Sequence, residues 1–74
     1  MALKEVTAAE IGRILEVTDG LGIHREQVAI PLLPRHPGRL RRTPAGKLEI
    51  VVDAQADFEA WLAELPERIR AVWS

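Results

Sequence analysis

The chain has 74 residues, 47% of them apolar and 28% charged, with a formal net charge of −1 and no cysteine. A chain of this length forms one small domain, residues 1–74, with a thin core that cannot be stapled by disulfides. With His24 and His36 as the only imidazoles and no thiolate to join them, a closed structural zinc site is excluded too.

The opening residues, Met1-Ala2-Leu3-Lys4-Glu5, contain no apolar core of signal-peptide length. No apolar run approaches the ~20 residues of a membrane span. The expectation is a soluble, cytoplasmic protein without a membrane partner. The wealth of Ala, Leu, Arg and Glu, with no asparagine, suits a bacterial source.

Thr7 and Glu10 have the spacing of a helix capping box, and Val6 and Ile11 that of the hydrophobic staple beside it. Ile11, Ile14, Leu15 and Thr18 then mark one helical face. Asp19-Gly20 reads as the stop, with Gly20 supplying the left-handed residue and Leu21 folding back on Leu15. Gly12, inside the helix, costs roughly 1 kcal/mol relative to alanine and is read as tolerated rather than required.

A short helical turn is expected around residues 23–27. Val28, Ile30 and Leu32 follow with the period of a strand, and Pro31 assigns that strand to a sheet edge. Pro34-Arg35-His36-Pro37-Gly38 is a loop. Residues 39–42 and 47–52 flank Thr43-Pro44-Ala45-Gly46 and predict a β-hairpin. Leu48, Ile50 and Val52 should face the core opposite Leu40. Arg39, Arg41 and Val51 should lie on the other face.

Asp53 marks the N-cap region of a second helical stretch, with Asp57 and Glu59 suited to its opening turns. Phe58, Trp61, Leu62 and Leu65 recur at helical spacing, as do Ile69, Val72 and Trp73 beyond Pro66. Because proline breaks helix interiors but suits a helix start, two helical pieces meeting at Leu65-Pro66 are expected. The fold class is therefore α+β: a small antiparallel sheet, made of an edge strand and a hairpin, packed against an N-terminal helix and a Pro-interrupted C-terminal helix pair.

Catalysis needs positioned acids, bases or nucleophiles. No phosphate-binding loop, dinucleotide fingerprint or metalloprotease helix is present, and the single serine is the terminal Ser74. Asp53, Asp57, Glu59 and Glu64 read as a solvated helix face, and His24 and His36 as solvent-facing loop residues. The expectation is a non-enzyme with no catalytic residue, no metal and no cofactor.

Charge is the asymmetric feature. Residues 27–48 carry +5 from Arg35, Arg39, Arg41, Arg42 and Lys47, without an acid among them. Residues 1–26 carry −2 and residues 49–74 carry −4. Such a polarised chain has two readings. In the first, the five cations bind nucleic acid or another polyanion through phosphate contacts. Against it stand a pI near 6.1, the lack of aromatic residues in the basic block, and the lack of a recognition helix ahead of the hairpin. In the second, which we favour, the chain is an accessory or protein-interaction module, a homodimer or part of a larger assembly. Its contact face would be Trp61, Leu65, Ile69 and Trp73, since a penultimate tryptophan on a thin core invites a covering surface.

Overall fold

The computed structural model describes residues 5–53 and 55–73. Residues 1–4 and Ser74, read above as a start lacking a signal-peptide core and as a terminal serine, lie outside the described residues. Helix α1 spans Ala8–Gly20 and helix α2 spans Phe58–Val72. Between them come a 3-10 turn at Arg25–Gln27 and strands β1 (Val28–Ala29), β2 (Leu40–Arg42) and β3 (Leu48–Ile50). The fold is a small α+β arrangement. No helix among the described residues is long and apolar enough to cross a membrane.

Helix α1 starts where its capping box places it. Thr7 Oγ1 accepts from the Glu10 N–H at 3.1 Å, and Glu10 Oε1 accepts from the Thr7 N–H at 2.9 Å. Val6 is buried and Ile11 packs against the core, as a staple requires. The stop falls later than the sequence suggests. Gly20 is still helical, and the left-handed residue is Gly22, at φ +77°. The Gly22 N–H donates to the Asp19 carbonyl and the Ile23 N–H to the Thr18 carbonyl, the two bonds of a Schellman motif. Ile23, buried on the core, is the apolar residue that closes it.

The sheet order is β1-β3-β2 and the sheet is mixed, not antiparallel. Strand β2 pairs with β3 as the expected hairpin, with Leu40 opposite Ile50, Arg41 opposite Glu49 and Arg42 opposite Leu48. The Gly46 N–H donates to the Thr43 carbonyl and Gly46 sits at φ +80°, giving a three-residue loop that proline opens and glycine closes. Strand β1 occupies an edge, as expected, but stops at Ala29, short of Ile30, Pro31 and Leu32, and runs parallel to β3, with Val28 opposite Leu48. Period-two alternation gives the faces of a strand and says nothing of its direction. Residues 30–39 are long enough to carry the chain past the end of β3 to its far edge, so β1 and β2 flank β3 from opposite sides.

Helix α2 is also a correction. It is one continuous helix through Pro66 rather than a pair. Trp61, Leu62, Leu65 and Ile69 stay in phase across the proline and are all buried. A break at residue 66 would swing Ile69 out of the core, and the roughly 1.5–3 kcal/mol from burying that side chain offsets much of the roughly 3 kcal/mol that an interior proline costs. Asp57, not Asp53, is the N-cap and accepts from the Ala60 N–H at 3.1 Å. Asp53 instead accepts from the Gln55 N–H and forms a turn ahead of the helix.

The core joins Ile14, Leu48, Ile50, Val52 and the α2 stripe between the helices and one face of the sheet. Buried Thr18 satisfies its hydroxyl on the Leu15 carbonyl. Trp61 Nε1 is buried and meets no acceptor among the described residues, so this ring is held by its bulk rather than its polar edge. A bidentate pair, Arg13 to Glu59 at 2.8 and 2.9 Å, ties α1 to α2 at the surface.

Candidate functional site

The alternation of the hairpin sorts its cations onto two faces. Leu40, Arg42, Leu48 and Ile50 share the side that packs on the helices. Arg39, Arg41, Glu49 and Val51 share the outward side. Arg42 therefore reaches α2, where its guanidinium lies 4.5 Å from the centre of the Trp73 ring. This is a cation–π contact, and it covers part of a tryptophan that is itself half-buried against the core.

On the outward side, Arg41 meets its cross-strand neighbour Glu49, with Nε 2.9 Å from Oε1. That hydrogen bond pulls the Glu49 carboxyl below its ordinary pKa. Partial burial opposes the shift, and the charges of Arg41, Arg39 and His36 reinforce it. The Arg41 guanidinium is correspondingly held even more firmly in its charged form. Arg35, Arg39 and Lys47 form no ion pair among the described residues. All three are exposed, Arg35 in the crossover loop and Lys47 at the turn end of the hairpin.

Arg39 is placed by a tight turn. Its N–H donates to the His36 carbonyl at 3.1 Å across Pro37 and Gly38. Proline followed by a glycine at φ +79° is the pairing a type II turn requires. The Gly38 N–H donates to the Val51 carbonyl, and the Val51 N–H donates to the Arg39 carbonyl, locking the turn to the end of β3. A Cβ on Gly38 would make only ordinary contact with Asp53, 3.4 Å from Oδ2, so it is the backbone at φ +79° that calls for glycine there.

The result is a groove of about 250 Å³ on the outward face of the sheet. Val51 lines it, only 3% exposed although it lies outside the main core. Pro31 and Leu33 add further apolar surface, and Arg35 and Arg39 bring positive charge, with His36 and the Arg41–Glu49 pair also lining the groove. Leu33 is 38% exposed and its neighbour Leu32 54%, so two adjacent leucines on the crossover loop meet solvent.

The residues singled out in the sequence thus separate. Arg35, Arg39 and Arg41 converge on the groove, while Arg42 turns to the helices and Lys47 is not among the residues that line it. Trp61, Leu65 and Ile69 are inside the core, at most 3% exposed, and present almost no surface to a partner in this fold. Trp73 sits at the core margin under Arg42. Leu33, His36 and Glu49 complete the groove without having been assigned to a site from sequence. The signal for such a groove was Ile50-Val51-Val52, three successive β-branched residues that make both faces of the sheet apolar at one point.

A second hollow, between α1 and the turn ahead of α2, is lined by Glu5, Glu10 and Asp53 around Val6, Pro34 and Phe58. Glu10 and Asp53 already hold backbone N–H groups there. Comparison with known proteins finds no family model, no curated protein and no solved structure that matches this chain.

Proposed function

We propose that the chain is a non-enzymatic protein-interaction module, an accessory subunit of a larger assembly that docks through the outward face of its sheet. The observation that carries this reading is the groove itself. Apolar surface from Pro31 and Leu33, over the buried Val51, lies beside Arg35 and Arg39, which form no ion pair among the described residues. Apolar surface that a thin core leaves exposed beside unpaired charge is the composition of a recognition patch. The α2 stripe, expected from sequence to supply a homodimer contact, is occupied in holding the chain together, and the docking role passes to the opposite side of the sheet. Isologous pairing of two copies through the groove would set Arg35 and Arg39 against their own equivalents, which favours a different chain as partner.

The test is a photoreactive residue placed at Leu33 in cells of the source organism, with Glu64 on the exposed side of α2 as the control position. The expected result is a discrete protein adduct from position 33 and none from position 64. Adducts with nucleic acid alone, or the same adducts from both positions, would overturn the reading in favour of polyanion binding or nonspecific contact.

A further inference from the structure

We infer that the occupant of the groove is an extended acidic segment of a partner protein, carrying one apolar side chain flanked by carboxylates. The inference rests on the docking role proposed above and names the chemistry of the partner. Three features of the groove set that chemistry.

The first is size. A groove of about 250 Å³ falls below the ~300–1,000 Å³ of small-molecule pockets and suits one or two side chains. The second is its lining. Pro31 and Leu33 are aliphatic and partly exposed above the buried Val51, so an aliphatic anchor gains by burial against them whereas a nucleobase finds no aromatic ring to stack on. The third is charge. Arg35 and Arg39 make no ion pair among the described residues, and guanidinium forks match carboxylates bidentately. Glu49 also lines the groove and is neutralised by Arg41 at 2.9 Å. It leaves a site suited to discrete carboxylates beside an apolar anchor, and less suited to a continuous run of phosphates. Recognition of acidic motifs by arginine clusters is an established mode of peptide binding.

The experiment is fluorescence anisotropy with the purified chain and a labelled peptide of glutamates and aspartates around a single leucine. Five controls accompany it: the same peptide with serine for leucine, a lysine counterpart, a short oligothymidylate, and the chain variants Arg39→Glu and Lys47→Glu. Saturable binding is expected, weakened about tenfold or more by the serine peptide, as loss of a buried leucine side chain implies. Arg39→Glu should weaken it by a comparable factor, and Lys47→Glu, outside the groove, by less than about twofold. Circular dichroism of each variant verifies that the helices are retained.

Equal affinity for the leucine and serine peptides would overturn the apolar anchor and with it the inference. Failure of the peptide to bind, while position 33 still yields a protein adduct in cells, would overturn the acidic segment and leave the docking role standing. Tighter binding of oligothymidylate, lost in Arg39→Glu, would overturn both.

Discussion

Two glycines ten residues apart, one inside α1 and one just past its end, offer a direct test of how the helix is built. Gly12 is exposed within Ala8–Gly20, and a Cβ built on it meets no atom within 4 Å. Gly12→Ala should therefore stabilise the protein by about 0.5–1 kcal/mol, through reduced backbone freedom in the unfolded chain. Gly22 has equally open surroundings but sits at φ +77°. Any loss from Gly22→Ala therefore comes from the backbone alone, about 1–2 kcal/mol for a Cβ in the left-handed region. An unfolding entropy of roughly 2.1 cal/mol/K per residue makes 1 kcal/mol worth about 6 °C in a chain of this length. Thermal melts followed by far-UV circular dichroism should then show Gly12→Ala raised by about 3–6 °C and Gly22→Ala lowered by about 6–13 °C. Shifts of the same sign in both variants would refute the placement of the helix end.

Three further outcomes follow from the packing and charges. Leu65 is fully buried in the centre of α2, so Leu65→Ala should cost about 2–5 kcal/mol in denaturant unfolding; a loss under ~1 kcal/mol would place the stripe outside the core. Glu49 titrates below its ordinary value of 4.5 because Arg41 hydrogen-bonds its charged form. Its contribution is complete above that ordinary value and disappears as pH falls through the lower folded-state value. Glu49→Gln should flatten this acid limb of stability, and an unchanged limb would contradict the pairing. Arg42→Ala should cost about 0.5–1 kcal/mol and make tryptophan emission more accessible to acrylamide, since the guanidinium covers Trp73; unaltered quenching would show the ring uncovered.

The parts of the fold legible in the sequence are those fixed by neighbours a few residues apart. The Thr7–Glu10 box, the Thr43-Pro44-Ala45-Gly46 turn and the alternation of Leu48, Ile50 and Val52 all specify local geometry, and each stands where the pattern puts it. What escaped was decided over longer range. The parallel direction of β1 depends on the route taken by residues 30–39, and local alternation is blind to that. Pro66 reads as a break because its local cost is certain, while the compensating burial of Ile69 is visible only once the helix lies on the sheet. The same limit applies to the charged block. Five like charges in sequence look like one surface, yet the two-residue repeat of the strand sends Arg42 to Trp73 and leaves Arg39 and Arg41 beside Val51. Trp61 and Ile69 recur at the spacing of a contact stripe, and a thin core uses such a stripe for itself first.

The proposed docking role of the outward sheet face is tested most directly by nuclear magnetic resonance, by titrating the isotope-labelled chain with the acidic leucine peptide. The expected result is a set of amide shifts confined to Leu33, Arg35, Arg39, Glu49 and Val51, saturating together, with the exposed side of α2 around Glu64 and Glu67 unmoved. Shifts centred on α2, or spread evenly over every exposed arginine and lysine, would contradict it.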